Sequence, residues 1–376
     1  MPMTPNPEIT TCLYINNFFV IPLRIIIIIK MKFKLNYKQY SDFVNLTNNV
    51  FYPLKNFVNK QEFNSILQKQ KVKNKFFPFP IFFSLKKNQF DKIKDKENLT
   101  FVYKSKNIAI VNKLEFFSIN SDLFGKKIFG KRFKEHPYYK MIIKENYFFL
   151  NFNITKKFKY KIKSEDFVSP LNFKKKFKNI KYLASFHTRN VPHNAHQWIH
   201  RLLLKKFGSL LIHPLVGQYK KGEYKGTTIM KTNIKASKVL KNKKVFCLPF
   251  LSYPRYGGPL EAALHAIVRR NYGCTHFWVG RDHAGYKDFF SLYQSQNYCK
   301  KKQQKLAIGI ICEKEPFFCK THNTITNKCK NIDCEKNKIL ISGTKIRKYL
   351  LSKKKIPTHL MSKNISTLIN STSLIQ

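Results

Sequence analysis

Between residues 35 and 175 apolar residues come in short runs, FPIFFSL (79–85), NIAIVNKLEFF (107–117) and NYFFLNFNI (146–154), divided by Lys- and Asn-rich turns. Runs of this length, rich in Phe, Ile and Val, predict strands, so this part reads as a mostly β domain. From residue 180 the period changes. KYLASF (181–186) has a buried-strand pattern, AHQWIHRLLLKKF (195–207) a helical one, SLLIHPLV (209–216) a strand pattern and NIKASKVLKN (233–242) a helical one. VFCLPF (245–250), PLEAALHAIVRRNY (259–272), THFWVG (275–280) and LAIGIIC (306–312) continue as strand, helix, strand and strand. Alternation of this kind predicts an α/β fold with a parallel sheet and crossover helices, in which ligands bind beyond the strand C-termini. No internal repeat is visible. The change of texture divides the chain into an N-terminal extension (1–35), a β-rich domain (36–175), an α/β domain (176–312) and a small C-terminal subdomain (313–376).

Composition changes this picture in two places. The chain has 376 residues, 43% hydrophobic and 24% charged, which suits two or three folded domains and excludes wholesale disorder. Its net charge of +51 invites a polyanion partner, because cationic surfaces release counterions from phosphate backbones. Only nine of the 71 basic residues are Arg, however, and Phe, Ile, Asn and Tyr are abundant as well, which is the signature of A/T-rich codons. The lysines are scattered (174–176, 241–244, 353–355) and read as a solvated coat, so no specific nucleic acid is expected. Six of the nine arginines, Arg189, Arg201, Arg255, Arg269, Arg270 and Arg281, fall within about a quarter of the chain. That concentration suggests sites needing the bidentate guanidinium fork for oxyanions. Of the eight cysteines, Cys319, Cys329 and Cys334 lie close together. With no secretory signal evident, a reducing, cytoplasmic setting and a metal site fit better than a disulfide framework. The apolar run FFVIPLRIIIII (18–29) is interrupted by Pro22 and Arg24 and is too short to span a membrane. Residues 1–30 read as an extension ahead of the true start, with a degenerate organellar targeting peptide as the second reading.

Candidate chemistry concentrates in SFHTRNVPHNAHQWIH (185–200), which holds four histidines, an arginine and no carboxylate. His196 and His200, four apart, share a helix face as zinc ligands do, but residue 197 is Gln where a catalytic zinc site needs an acid. The anion reading fits better. A strand ending near Phe186 delivers HTRN into a loop, Pro192 sets the turn, and His193 and His196 face one side of the first helical turn. A helix N-terminus favours phosphate, imidazoles donate to phosphoryl oxygens, Arg189 can grip an oxyanion and Asn190 can orient it. This is equipment for nucleotidyl transfer, where positioning and charge neutralisation dominate. GRDHAG (280–285) supplies a second strand-end loop, with Asp282 either anchoring Arg281 or forming the turn. ISGTKIRKYL (341–350) supplies a hydroxyl-rich loop that caps a helix, with Lys345 and Arg347 in its first turns.

HTRNVPHNAH, HPLVG (213–217), YGGPLEAALHAIVRRNYGCTHFWVGRDHAG (256–285) and ISGTKIR together resemble the ATP sulfurylase (sulfate adenylyltransferase) family, within the wider HxxH nucleotidyltransferases. NNVFYPLKNFVNKQEFNSIL (48–67), FPFPIFFSL (77–85) and IFGKRFKEHPYYKM (128–141) resemble that family's PUA-like N-terminal domain. The resemblance implies a PUA-like domain followed by a Rossmann-like nucleotidyltransferase domain. It implies that ATP, taken with Mg2+, and sulfate give adenylyl sulfate and pyrophosphate, or the reverse, by in-line attack of sulfate on the α-phosphorus. Carried over by motif, Thr188, Arg189, Asn190, His193 and His196 are the catalytic set. Sulfate falls to His187, Arg189 and the Ala284 backbone. The nucleotide falls to His193, His196, Gly280, Arg281, Asp282, His283, Ser342 and Thr344.

Three departures stand out. His187 replaces the usual Gln, and an imidazole titrating near neutrality is expected to make sulfate binding pH-dependent. Val191 is inserted before Pro192, which alters the turn. No kinase-like segment follows ISGTKIR, so the product is expected to be passed elsewhere. Many bacterial members of the family carry a small zinc knot before the ISGT loop. Here Cys319, His322, Cys329 and Cys334 offer four N/S ligands for structural Zn2+, with His322 in a place where Cys is usual and free thiols as the alternative. A related HxxH enzyme with another acceptor, and a degenerate polyanion-binding protein, are the competing readings. The site is expected to hold almost no acids, since two anions must meet there. Reaction direction and oligomeric state stay open, a homo-oligomer included.

Overall fold

The computed structural model describes residues 31–144, 148–158, 167–177, 179–217, 221–329 and 336–375. The expectations for residues 1–30 lie outside that set. The N-terminal domain is built on a sheet of β1 (Met31–Lys34), β2 (Phe83–Leu85), β3 (Asn98–Tyr103), β4 (Lys106–Phe117) and β5 (Phe148–Lys157). Their spatial order is β1-β3-β4-β5-β2, with β1 parallel to β3 and the other pairs antiparallel. Because Met31–Lys34 is already a sheet strand, the domain begins ahead of the expected boundary at residue 36. Lys104 and Ser105 both take positive φ, the geometry of a tight hairpin turn between β3 and β4. Phenylalanines fill the core. Phe83 stacks on Phe101 at 5.4 Å and meets Phe57 and Phe152 edge-on.

The mostly β expectation for this domain is incomplete, because helices surround the sheet. The first, α1 (Tyr37–Thr47), starts with a capping box between Asn36 and Gln39. It buries Gln39, Ser41, Asp42 and Asn45 along with Tyr40, Phe43, Val44 and Leu46, so no polar stripe marks it as amphipathic.

The second domain carries the predicted parallel sheet. Its strands are β6 (Ala184–Thr188), β7 (Leu210–Val216), β8 (Val245–Cys247), β9 (Phe250–Leu251), β10 (His276–Trp278) and β11 (Gly309–Ile311). The order is β8-β7-β6-β10-β11, with β9 also pairing β7, and every pair is parallel. VFCLPF, expected as one strand, forms two pieces because Pro249 interrupts the ladder. The crossover helices include α2 (Asn194–Phe207), α3 (Gly226–Val239) and α4 (Gly258–Asn271). From β6 the chain moves first to β7 on one side and later to β10 on the other, so a crevice opens between the C-terminal ends of β6 and β10.

A small antiparallel sheet of β12 (Phe317–Cys319), β13 (Thr324–Thr326) and β14 (Lys338–Leu340), in the order β13-β12-β14, leads into helix α5 (Gly343–Leu351). Ile341, Ile346 and Leu350 pack with Val191 and Ala195, which closes this subdomain over the start of α2. The inserted Val191 is thus a core residue. The two large domains share one apolar core, in which Phe43 and Phe51 lie with Phe250 and Leu264. Polar contacts also cross the boundary. Asp42 pairs with Arg255 and accepts from Tyr253 at 2.7 Å, and Asn45 donates to the Leu251 carbonyl at 2.6 Å. Among the described residues no helix is long and apolar enough to cross a membrane.

Candidate active site

A cleft of about 310 Å3 lies at the crevice between β6 and β10. The loops that follow these two strands, the start of α2 and the loop entering α5 form its walls. Every candidate binding residue of the two domains lines it: His187, Thr188, Arg189, Asn190, His193, His196, Gly280, Arg281, Asp282, His283, Ala284, Ser342 and Thr344.

The β6 loop is set by local hydrogen bonds. Asn190 donates its backbone N–H to Thr188 Oγ1 at 3.0 Å, and Asn233 of α3 donates to the Asn190 carbonyl at 3.2 Å. Arg189 stacks on Tyr256 at 5.0 Å, with no carboxylate at ion-pair distance among the described residues. The face of an aromatic ring steadies a cation without neutralising it.

His193 is the N-cap of α2. Its Nδ1 accepts from the His196 N–H at 3.3 Å, which places the ring proton on Nε2 as a donor. The two rings stack at 3.7 Å. Burial holds both imidazoles below their usual range, His196 at about 4, so both rings are neutral in the site. His200, one turn on, packs on Phe186 at 4.7 Å and is not among the residues that line the cleft.

In the β10 loop Ala284 takes φ +59, a conformation that costs a residue with a Cβ about 1 kcal/mol or more and that is frequent at ligand sites. Its carbonyl accepts from Gly258 at 3.0 Å, tying the loop to the start of α4. Arg281 pairs with Glu315 at 3.0 Å, so Asp282 is not its anchor. Asp282 instead sits inside the turn, where a Cβ on Gly285 would come within 2.1 Å of its carboxylate. In the third loop Ser342 caps α5 by accepting from Lys345 N–H at 3.2 Å, and Gly343 lies against Asn190. Arg347 donates to Asn190 Oδ1 at 3.0 Å and to Thr344 Oγ1 at 3.1 Å, bridging the first and third loops.

His187 differs from expectation. Its Nδ1 lies 2.6 Å from Arg269, and its ring lies 4.3 Å from His265 and 5.3 Å from His283. Burial, then the neighbouring His265, Arg269, His283 and His213, hold it well below 6.5, so it does not titrate near neutrality. His187, His265 and His283 are close enough to share a metal ion, their ligand atoms lying within 4.8 Å of one another. The guanidinium opposes that use. Coordination through His187 Nε2 would put the ring proton on Nδ1, against the Arg269 donor. Instead His265 and His283 bond to each other at 3.0 Å.

The expectation of an almost acid-free site is also overturned. Glu223, Glu261, Asp282, Glu313 and Glu315 all line the cleft, brought in from other segments of the chain. Glu261 is bound by the Arg255 and Gly257 N–H groups at 2.9 Å each, and Glu315 by Arg281, so these two serve as internal braces. Sequence reasoning left Tyr256, Glu223 and His265, which also line the cleft, out of the site and treated Arg347 only as a helix residue. Of the six clustered arginines only Arg189 and Arg281 line the cleft. Arg255 is consumed by Asp42, and Arg270 donates to the Tyr52 and Leu306 carbonyls.

Near the C-terminal sheet, Cys319, His322 and Cys329 bring their ligand atoms within 4.8 Å of one another, with Cys319 Sγ 3.4 Å from His322 Nδ1. That spacing and that N/S donor set suit a tetrahedral ion. Cys334 lies outside the described residues.

Fold and site together define an enzyme of the α/β nucleotidyltransferase class, with a polar cleft at the switch point of a parallel sheet. A family model described as ATP-sulfurylase matches residues 166–372 and one described as a PUA-like domain matches residues 29–155, and the chain belongs to the ATP-sulfurylase family. Curated relatives named sulfate adenylyltransferase include that of Ignicoccus hospitalis, 29% identical over 88% of this chain and 87% of its own length. That of Pyrococcus abyssi is 28% identical over 90% of both chains, and that of Entamoeba histolytica 27% over 87% and 82%. A solved structure titled hexameric APS kinase from Thiobacillus denitrificans shares the fold at a TM-score of 0.67 and 12% identity. The match covers 90% of this chain and 62% of that one.

Proposed function

We propose that this chain is a sulfate adenylyltransferase, joining ATP and sulfate into adenylyl sulfate with release of pyrophosphate, or running the reverse. The observation that carries the reading is the meeting of three separate loops, HTRN, GRDHAG and ISGT, around one cleft at the sheet's switch point. Arg189, raised on Tyr256, and the Ala284 backbone hold the sulfate. His193 and His196 present neutral N–H donors to the nucleotide phosphates at the start of α2, and His283, Ser342 and Thr344 complete the ATP side. Mg2+, carried in with ATP, offsets the polyphosphate charge. Sulfate oxygen forms a bond to the α-phosphorus as the bond to the pyrophosphate oxygen breaks, so no proton need move. What the protein contributes is alignment of two anions and stabilisation of the charge that builds between them.

The test is pyrophosphate release from Mg-ATP with and without sulfate. Strict dependence on sulfate is expected, and release with another acceptor in its place would favour the related HxxH reading. Arg189→Ala is expected to lower turnover by about 10²–10³-fold, the usual effect of removing one charge-stabilising donor. Retained activity in that variant would remove Arg189 from the mechanism.

The converging Cys319, His322 and Cys329 support structural Zn2+, with Cys334 as the fourth ligand. Metal analysis of untagged protein is expected to find about one equivalent of zinc, and Cys319→Ser to lose it. Less than half an equivalent in the parent protein counts against the site. The setting we infer is cytoplasmic, with ATP, sulfate, adenylyl sulfate and pyrophosphate as the small-molecule partners.

A further inference from the structure

Arg269 is fully buried in the last turn of α4, and no carboxylate pairs with it among the described residues. Its guanidinium lies over Phe250 at 4.9 Å and Phe277 at 5.5 Å. NH1 donates to the His265 carbonyl at 3.2 Å, NH2 donates to the His213 carbonyl at 3.2 Å, and Nε has no partner. An apolar side chain would pack here without the desolvation penalty of an uncompensated ion. Burial pulls the guanidinium down to about 9, which still leaves it a cation at neutral pH. The remaining contact of that ion is the 2.6 Å bond from NH2 to His187 Nδ1, at the back wall of the cleft.

That bond has one consistent proton arrangement. A guanidinium only donates, so Nδ1 of His187 accepts and the single proton of the neutral ring sits on Nε2. We infer that Arg269 is a positioning residue of the acceptor site, which fixes His187 as an Nε2–H donor to a tetrahedral dianion and supplies a buried positive charge behind it. This inference rests on the proposed reaction. It also accounts for the His187 departure. A glutamine at 187 has a carbonyl to accept from Arg269 and an amide N–H to donate to sulfate, so the two residues are interchangeable in pattern though not in shape.

The test uses the full chain and two kinds of readout. In 15N-histidine-labelled protein, long-range proton–nitrogen spectra of His187, assigned by its loss in His187→Gln, are expected to show the neutral Nε2–H form from pH 6 to 8.5. In Arg269→Met that signature is expected to give way to tautomer exchange. In kinetics, His187→Met and Arg269→Met are each expected to raise the KM for sulfate about tenfold or more, with the KM for ATP changed far less. Tenfold is near what one hydrogen bond to a charged group contributes. His187→Gln is expected to recover most of what His187→Met loses. A wild-type His187 protonated on Nδ1, an unchanged sulfate KM in His187→Met, or Gln and Met variants that behave alike would each overturn the inference. If Arg269→Met does not fold, the His187 pair carries the test alone. The spectra need no turnover, so a wild-type chain without sulfate-dependent pyrophosphate release overturns the reaction, while the spectra separately decide the tautomer.

Discussion

His187 has positively charged or chargeable groups around it: Arg269 and His265 on α4, His283 on the β10 loop and His213 on β7. Each resists a second positive charge, and burial adds to them. The sign follows directly. A histidine held well below 6.5 is neutral throughout the physiological range, so it gains no proton between pH 8.5 and 6 that could strengthen anion binding. The KM for sulfate is therefore expected to stay within about threefold across that range, and a tenfold drop towards pH 6 would show that the ring protonates. Sequence reasoning led to the opposite expectation because it assigned His187 an isolated imidazole's titration. Nothing in the spacing of PLEAALHAIVRRNY reveals that Arg269 turns inward to meet it. The missing carboxylates have the same cause. SFHTRNVPHNAHQWIH indeed contains none, but Glu223 and Glu315 reach the cleft from segments far away in the chain.

Elements were more legible than the contacts between them. The strand–helix period located β6, α2, β7, α4 and β10, and their order alone put HTRN and GRDHAG at strand ends where a ligand site forms. What stayed hidden were elements whose pattern is erased by their surroundings. Helix α1 is covered on nearly all sides, including the polar residues that usually mark a solvent face. VFCLPF looked like one strand because an apolar run does not show where the ladder is broken. The junction of α1, β7 and β9 is tight enough to make a prediction. Tyr37 donates to the Val216 carbonyl at 2.9 Å, and a Cβ on Gly217 would lie 1.9 Å from the Ser252 carbonyl oxygen and 2.6 Å from the Tyr37 hydroxyl. A backbone atom cannot swing aside as a side-chain tip can. Gly217→Ala is expected to cost about 1–3 kcal/mol, the usual range for overpacking, read as a lower denaturant midpoint at unchanged slope. A midpoint equal to that of the parent would mean the junction relaxes freely.

At the scale of the whole molecule the N-terminal domain supports the site directly. His136 bonds to the Tyr256 carbonyl at 3.2 Å, beneath the ring that carries Arg189, and Asp42 holds Arg255 beside Glu261. The same assembly concentrates buried imidazoles. His187, His193, His196, His200, His213, His265 and His283 are all held below 6.5, in every case with burial as the largest cause. In the unfolded chain each would protonate near 6.5. Above that pH both states are neutral and nothing is lost. Below it the unfolded state binds protons that the folded state refuses, and each histidine removes up to about 1.4 kcal/mol of stability per pH unit. Asp42 and Glu261, whose carboxyls burial raises, take up protons in the folded state and offset part of this loss at lower pH. Because a domain's total stability is about 5–15 kcal/mol, a handful of these histidines suffices to unfold it. The denaturant midpoint of the ligand-free protein is expected to be level from pH 7 to 8.5 and to fall steeply between 6.5 and 5. Saturating Mg-ATP or adenylyl sulfate should move that fall to lower pH by binding the folded form. A midpoint unchanged down to pH 5 would mean that the folded protein accepts protons on these histidines, and the neutral-donor account of His193 and His196 would fall with it.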